Sequence, residues 1–318
     1  MDLSEIGEFG LIGRIREVAG SLQEGVLGIG DDCAVIPQKD GLDSLVTTDM
    51  LMEGVHFLRG DICPYDLGWK SAAVNLSDIA AMGGTPQGTF LAFALPKGLD
   101  SSWTDSFMQG YRDVSAMSGT PLLGGDTTSS LDRICVCVTV LGQCPAGGAV
   151  LRSGAREGDL VCVTGPTGDS GAGLKVILDG VPRGEEEKIL VGRHYRPVPR
   201  INEGRSLAAA GASSMMDISD GIGSDLRHIL EASGKGAVVR TGALPLSDEL
   251  KAVCSRRGWD AVALALDGGE DYELLFTIAP EREAALGVPH CVIGKITAEP
   301  GLVWEGEEGR RHDGYRHF

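Results

Sequence analysis

The sequence predicts an α/β (α+β) fold in two domains, and three observations support this class. The chain has 318 residues, whereas single hydrophobic cores stop growing near about 250 to 300 residues. Short apolar runs typical of strands alternate with longer segments of helical periodicity. The alternation breaks at residues 145–158, which are rich in Gly, Pro and Ala, and then resumes. We therefore expect an N-terminal domain over 1–145 and a C-terminal domain over 150–318.

The elements follow from periodicity and from turn residues, taken in chain order. In the first half we expect helices at 66–82 and 103–114, and strands at 45–48, 90–95, 121–123 and 134–141. In the second half we expect strands at 160–163, 215–218, 272–277 and 291–296, and helices at 169–178, 185–195, 203–210 and 221–233. Gly234 is expected to end the last of these helices, because glycine favours the left-handed conformation that follows a helix.

The charge balance excludes several classes of partner. The chain carries 28 Lys and Arg against 45 Asp and Glu, a formal net charge of −17. Such a chain lacks the basic surface that binds nucleic acid or an anionic membrane. No apolar run approaches the roughly 18 residues of a membrane span, and the first residues do not resemble a secretory signal. We expect a cytoplasmic protein without nucleic-acid or membrane partners. Its eight cysteines form no Cys-x-x-Cys pair, so neither zinc nor a disulfide framework is predicted.

Several aspartates stand in apolar or glycine-rich sequence, where a merely solvated charge is unusual. They are expected at strand ends or strand-to-helix turns, where binding groups are held by a rigid scaffold. One such residue is more often a helix cap or a turn residue, but the recurrence of the pattern favours a site. The residues are Asp31, Asp32, Asp49, Asp126, Asp217 and Asp220.

Asp78 differs because it falls inside the helix predicted at 66–82. Ser71, Asn75 and Asp78 share one polar stripe there, and the rest of the helix is nearly all apolar. A buried carboxylate must be paired, hydrogen-bonded or bound to a metal, since an isolated buried charge is very costly. Both an internal hydrogen bond and a ligand site fit this pattern.

The predicted ligand chemistry is that of a hard cation. Clustered Asp with nearby Thr47 and Thr48, and without a His or Cys set, favours magnesium or calcium over zinc. Magnesium commonly shares its ligands with substrate phosphates, which indicates a nucleotide. Glycine pairs at 124–125 and 268–269 would let backbone N–H groups approach phosphates. No P-loop, dinucleotide or protein-kinase motif is present, so phosphoryl transfer would use another scaffold.

These segments together resemble the thiamine-monophosphate kinases, in the superfamily of aminoimidazole ribonucleotide synthetase and selenophosphate synthetase. The resemblance extends over almost the whole chain. The Gly-Asp-Asp and Gly-Gly-Asp elements mark the superfamily, whereas His56, the second glycine pair with its acidic run, and the aromatic residue near the end mark the thiamine enzymes. The motifs are Gly7-Glu8-Phe9, Gly30-Asp31-Asp32, Thr47-Thr48-Asp49, Glu53-Gly54-Val55-His56-Phe57, Ala73-Val74-Asn75-Leu76-Ser77-Asp78, Gly124-Gly125-Asp126-Thr127-Thr128, Arg152-Ser153-Gly154-Ala155, Asp217-Ile218-Ser219-Asp220-Gly221, Gly268-Gly269-Glu270-Asp271-Tyr272-Glu273-Leu274 and Gly314-Tyr315-Arg316-His317-Phe318.

The resemblance implies a two-domain PurM-like fold, with N-terminal sheets that pair across a homodimer into a barrel. It implies magnesium-dependent transfer of the γ-phosphate of ATP to thiamine monophosphate, with Asp78, Asp126 and Arg152 as catalytic residues. Several magnesium ions would bind Asp32, Thr47, Thr48, Asp49, Asp78, Asp126, Asp217 and Asp220. ATP would contact Gly125, Asp126, Arg152 and Ser219, and the thiamine phosphate would contact His56, Glu270 and Tyr315. Family members commonly have Arg-Gly after the Gly-Gly-Asp-Thr-Thr motif, where this chain has Ser129-Ser130.

Two alternatives remain at the level of sequence. The chain could be another ATP-dependent enzyme of the same superfamily. It could also be a non-catalytic magnesium-nucleotide binding module, although a nearly complete set of acidic ligands is unexpected in a module free to lose them. In the enzymatic case we expect direct in-line transfer without a phosphoenzyme. The terminal phosphate of the acceptor has a second pKa near about 6 and needs no general base.

Overall fold

The computed structural model describes residues 3–315 with the exception of 181, 183, 308, 309, 311 and 313. Arg316, His317 and Phe318 of the last motif therefore lie outside the described residues. Among the residues that are described, no helix is both long enough and apolar enough to cross a membrane.

The N-terminal half is one mixed sheet with helices on one face. Its strand order is β1-β2-β5-β3-β4, in which β4 pairs in parallel with β3 and the other neighbours are antiparallel. The elements are α1 (Leu3–Ala19), β1 (Ala34–Pro37), β2 (Leu42–Met52), α2 (Pro64–Ala81), β3 (Thr85–Pro96), α3 (Ser101–Met117), β4 (Leu122–Ser130) and β5 (Cys135–Pro145).

The C-terminal half contains a second mixed sheet, of strand order β11-β8-β10-β6-β9-β7. Its elements are β6 (Leu160–Val163), α4 (Asp169–Leu178), α5 (Glu185–Tyr195), α6 (Ile201–Ala210), β7 (Ser214–Asp217), α7 (Ile222–Ser233), β8 (Gly236–Arg240), a short 3-10 helix (Thr241–Ala243), α8 (Asp248–Arg257), α9 (Ala261–Asp267), β9 (Leu274–Ile278), α10 (Pro280–Glu283), β10 (Cys291–Thr297) and β11 (Gly301–Glu305). As predicted, Gly234 ends α7 in the left-handed conformation.

Helix α2 connects the two halves. It packs on β2 and β5 of the first sheet and also against α5, α6 and β7 of the second half. On its other side it crosses α3 so closely that a Cβ on Gly68 would lie 1.9 Å from the carbonyl oxygen of Phe107, and one on Gly110 would lie 1.9 Å from that of Tyr65. Both positions therefore require glycine, and this tight crossing holds α2 rigidly between the sheets.

Two local predictions are wrong in an informative way. Asp49 does not end its strand, because β2 continues to Met52 along its whole pairing with β5. Likewise, Gly124, Gly125 and Asp126 lie inside β4 rather than in a turn. Parallel pairing with β3 keeps the glycines extended here, so a glycine pair does not mark a turn where the sheet supplies backbone partners.

Candidate active site

A cleft of about 1400 Å³ lies beside α2 and is lined from both halves of the chain. It collects most of the residues that the sequence singled out. Those that line it are Asp32, Thr47, Thr48, Asp49, His56, Asp78, Arg152, Asp217, Ser219, Asp220, Glu270 and Tyr315. Gly125 and Asp126 do not belong to the lining.

Three carboxylates form the acidic centre of the cleft. Asp32 precedes β1, Asp78 lies in the last turn of α2 and Asp217 ends β7. Each offers an oxygen that lies within 4.8 Å of the other two. One oxygen each of Asp32 and Asp217 is buried without a hydrogen-bond partner among the described residues. Buried acceptors of this kind call for a cation, and an all-oxygen set suits magnesium.

The pKa values of these carboxyl groups are raised, because the groups are buried and lie close to one another. Burial, together with Asp49, Asp217 and Asp32, raises the pKa of Asp78 well above its usual range. Burial and the proximity of Asp32 raise the pKa of Asp217 to about 8 and that of Asp49 to about 6. A divalent cation would reverse these shifts, because it favours the ionised carboxylates.

Strand β2 supports the acidic centre from one side. The hydroxyl of Thr47 donates to the Asp78 carboxylate at 2.5 Å, and the backbone N–H of Asp49 donates to Asn75 of α2 at 2.8 Å. Because side chains alternate along a strand, the Thr48 side chain lies on the other face of β2, although the residue still borders the cleft. Its hydroxyl donates to the carbonyl of Val138 at 3.0 Å. Of the polar stripe of α2, Asn75 is therefore structural, because it binds the backbone of β2, whereas Asp78 belongs to the site.

Arg152 brings a positive charge to the acidic centre. Its guanidinium bonds to Asp32, with Nε 3.2 Å from Oδ1, and Nη2 contacts the same oxygen. Its backbone N–H also donates to Asp31, at 3.2 Å from Oδ2. Burial nevertheless leaves the pKa of Asp31 raised to about 6. The arginine is thus held at the edge of the cluster, where a phosphoryl group bound beside the carboxylates would meet it.

Two motifs of the second half are joined by backbone hydrogen bonds. The N–H of Glu270 donates to the carbonyl of Ser219, and that of Tyr272 donates to the carbonyl of Ile218. A Cβ on Gly269 would lie 2.2 Å from the Ser219 carbonyl oxygen, so this approach requires glycine. The pairing places Ser219, Asp220 and Glu270 along one wall of the cleft.

The acidic residues of the second glycine motif divide into different roles. Asp271 accepts from the backbone N–H groups of Gly168 and Ser170 and thereby caps α4. Glu273 pairs with Arg200 and accepts from Thr164, away from the cleft. Glu270 alone of the three lines the cleft. Its backbone has φ of 63°, which is uncommon for a residue other than glycine.

The partners of Glu270 could not be read from the sequence. Lys70 of α2 is buried, and its Nζ lies 2.9 Å from Glu270 Oε1. His194 of α5 is also buried, and its Nδ1 lies 3.5 Å from Glu270 Oε2. Lysine within an otherwise apolar helix was the available signal for the first contact. His194 lies in the last turn of α5, a helix that is charged at its start, and no sequence pattern indicated it.

His56 and Tyr315, the other two residues expected to contact thiamine monophosphate, lie around the same cleft. His56 follows β2, and its Nδ1 accepts from the backbone N–H of Met52 at 3.0 Å. In the neutral ring this leaves the proton on Nε2, which is then a donor. Tyr315 is anchored through its backbone N–H to the carbonyl of Asp220 at 3.1 Å. Both residues line the cleft.

Asp126 and Gly125 lie elsewhere in the single chain. The row of paired residues runs from Asp49 through Val138 and Leu91 to Gly125. Since neighbouring strands lie about 4.8 Å apart, three such steps separate β2 from β4 by roughly 14 Å. Asp126 is exposed on this edge strand. One copy of the chain therefore does not bring Asp126 to the acidic centre.

Comparisons with known proteins agree on one family. The family models "AIR synthase related protein, N-terminal domain" and "AIR synthase related protein, C-terminal domain" match residues 30–144 and 156–305. The thiamine-monophosphate kinase of Escherichia coli K12 is 42% identical over 328 residues, which cover 98% of each chain. That of Aquifex aeolicus is 38% identical over the full length of both. A solved structure described as "AaThiL complexed with AMPPCP and TMP" superimposes with a TM-score of 0.92 at 37% identity, covering 100% of this chain and 99% of that one.

Proposed function

The chain belongs to the thiamine-monophosphate kinase family, and from this premise we propose that it transfers the γ-phosphoryl group of ATP to thiamine monophosphate. The products are thiamine diphosphate and ADP. Relatives named for this activity align over 98% and 100% of the chain, and the similar solved structure is described as complexed with AMPPCP, an ATP analogue, and TMP. The observation that carries the proposal is the cleft, which combines a carboxylate cluster with a separate anionic residue, Glu270.

The carboxylate cluster is the proposed site for the phosphates. Asp32, Asp78 and Asp217 would hold magnesium, with Asp49 and Asp220 beside them, and bound magnesium would neutralise the charge of two phosphate groups that repel each other. The oxygens of Asp32 and Asp217 that lack partners in the described chain support this assignment. Thr47 contributes by orienting Asp78, whereas the Thr48 hydroxyl is already bonded to Val138.

The residues around the cluster have defined tasks in the transfer. Arg152 lies beside Asp32 and would contact the transferring phosphoryl group, while Ser219 would contact ATP. The acceptor phosphate is largely ionised at neutral pH and attacks without a general base. The site therefore works by alignment and charge neutralisation, in a direct in-line transfer. Inversion at the transferred phosphorus is expected, and net retention would contradict direct transfer.

Glu270, His56 and Tyr315 are the proposed contacts of the acceptor. The Nε2–H of His56 would donate to a phosphate or ring acceptor atom of the substrate. Glu270 provides a negative charge for the heterocyclic half of thiamine monophosphate, which carries a fixed positive charge on its thiazolium ring. Tyr315 provides an aromatic surface at the same cavity.

We propose a homodimer in which β4 faces the partner. Met50, Phe90 and Leu123 are 54%, 38% and 55% exposed on the first sheet and its edge, and exposed apolar surface of this kind marks an interface. Every residue of β4 up to Ser129 is exposed. Pairing of two N-terminal sheets into a barrel would cover this surface. It would also bring Gly125 and Asp126 of one copy toward the cleft of the other.

The proposed domains remain 1–145 and 150–318, with the metal and nucleotide groups mainly in the first, and the cytoplasm remains the proposed location.

The function is tested by incubating the protein with ATP and magnesium and a panel of acceptors, and by measuring ADP release. Release that requires thiamine monophosphate supports the proposal. Release only with the acceptor of another superfamily enzyme would overturn it in favour of that enzyme. Nucleotide binding without release would indicate a non-catalytic module.

A further inference from the structure

Lys70 is a buried cation in the middle of α2, with only 1% of its surface exposed. Lysine is almost never fully buried unless it is paired, because its charge loses the solvation of water. Its Nζ lies 2.9 Å from Glu270 Oε1 and 3.4 Å from His194 Nε2. The proposed role of Glu270 therefore depends on groups that belong to two neighbouring helices, α2 and α5.

His194 is neutral and its tautomer is fixed by its neighbours. Burial and the charge of Lys70 lower the pKa of His194 to about 3. Nε2 faces the ammonium group and must accept from it, so the proton is on Nδ1. Nδ1 lies 2.9 Å from Ser170 Oγ and 3.5 Å from Glu270 Oε2. The ring thus presents its N–H side to both Ser170 and the carboxylate.

Glu270 remains ionised although it is enclosed. Burial alone would raise the pKa of Glu270, but Lys70 and His194 outweigh it and leave the pKa below its usual range. The titratable and charged groups that act on the carboxylate are Lys70, His194, His56 and Tyr272. With Oε1 bonded to Lys70 and the side chain 26% exposed, the carboxylate keeps acceptor capacity toward the cleft.

We infer that Lys70 and neutral His194 are positioning residues for Glu270: Lys70 keeps the carboxylate ionised, and the N–H of His194 helps to direct it at the heterocyclic half of thiamine monophosphate. This inference rests on the proposed function. Lys70 and Asp78 stand eight residues apart on one helix, which corresponds to about 12 Å. An extended acceptor can therefore reach the carboxylate cluster with its phosphate while its heterocyclic half, which includes the cationic thiazolium ring, lies at Glu270.

The test compares Lys70→Met with a matched control, Arg200→Met. Both variants remove the basic partner of a glutamate in the same motif, but Glu273, the partner of Arg200, lies outside the cleft. Lys70→Met is expected to raise the KM for thiamine monophosphate at least about tenfold, as for loss of a charged hydrogen bond, with kcat and the KM for ATP within about threefold. Arg200→Met is expected to lower Tm and to leave that KM within about twofold.

A pH profile separates positioning from a merely structural role. Without Lys70, burial raises the pKa of Glu270, so the ratio of the variant's KM to the wild-type KM should increase as the pH falls from 8 to 6. The ratio cancels the titration of the substrate itself. A ratio near one at every pH would overturn the inference.

His194 provides a second test that does not require Lys70→Met to fold. His194→Leu should raise the KM for thiamine monophosphate, and His194→Gln, which keeps an acceptor and a donor, should restore part of the loss. Equal KM values for wild type and His194→Leu would contradict the inference. These outcomes apply only when wild type is active with thiamine monophosphate, so failure of the proposed function is recognised separately by an inactive wild type.

Discussion

Lys70 and Asp78 stand on the same helix and serve two different parts of the cleft, because Lys70 contacts Glu270 of the cleft wall and Asp78 lines the cleft itself. The Lys70 ammonium lies 2.9 Å from the Glu270 carboxylate, and the Asp78 carboxylate belongs to the cluster with Asp32 and Asp217. Because α2 is held between the two sheets, the spacing between these two parts cannot change without displacing a buried helix. The fold thus sets the distance between the proposed acceptor contact and the proposed phosphate site.

Asp78→Asn should remove turnover without unfolding the protein. We expect kcat to fall at least about 100-fold, because a proposed metal ligand loses its charge. The Tm should not decrease, since the substitution relieves repulsion among buried carboxylates and keeps an acceptor for Thr47. The matched control is Asp43→Asn on the same sheet. Asp43 is buried and accepts from the Gly147 N–H away from the cleft, so turnover should persist there. Loss of folding in Asp78→Asn would instead favour a purely structural Asp78.

Magnesium should stabilise the protein more strongly as the pH rises. The pKa values of Asp31 and Asp49 are raised to about 6 and that of Asp217 to about 8, from 3.8. Between pH 3.8 and about pH 8 the folded apoprotein binds more protons at these groups than the unfolded chain does, so its free energy of unfolding falls with increasing pH. Magnesium binds the ionised groups and compensates this loss. We expect the increase in Tm on adding magnesium to be several degrees larger at pH 8 than at pH 5.5, by differential scanning fluorimetry. An equal increase at both values would contradict this account of the site.

His56→Ala should weaken binding of thiamine monophosphate. Its Nε2–H is directed by the contact between Nδ1 and the Met52 N–H, and its loss should raise the KM for thiamine monophosphate roughly tenfold. The KM for ATP should stay within about twofold. His290→Ala serves as a control, because His290 pairs with Glu283 outside the cleft. An unchanged KM for thiamine monophosphate in His56→Ala would exclude His56 as an acceptor contact.

Two inactive variants should restore activity when their subunits are mixed. Asp78→Asn disables the cleft of its own chain, whereas Asp126→Asn would disable the cleft of the partner. A heterodimer of the two then contains one intact site. Random exchange produces half heterodimers, so about one quarter of the wild-type activity should return. If no activity returns while light scattering shows mixed dimers, Asp126 does not serve the partner's cleft.

Much of the fold follows from local sequence. The bounds of α4 and α5 agree with the prediction, and a glycine stands directly before each of the two helices. The error at Gly124, Gly125 and Asp126 has a long-range cause. Whether a glycine pair turns or stays extended depends on β3, whose pairing residues Phe90, Leu91 and Ala92 each lie 34 positions earlier in the chain.

The site shows the same division between local and long-range information. Asp78 could be identified from sequence because a carboxylate interrupts an apolar helix. Lys70 lies in the same helix, but its role follows only from its contact with Glu270, which is distant in the chain. His194 carries no local signal. The separation of Asp126 from the other aspartates is likewise a property of strand order, which the sequence pattern does not contain.

The most direct test of the central claim is to follow the reaction by phosphorus NMR with purified protein, magnesium, ATP and thiamine monophosphate. The account predicts that the thiamine monophosphate resonance is replaced by the two coupled resonances of thiamine diphosphate. These should appear in step with ADP, one for one, and only when both substrates are present. ATP consumed with release of inorganic phosphate, or with no diphosphate ester of thiamine, would contradict it.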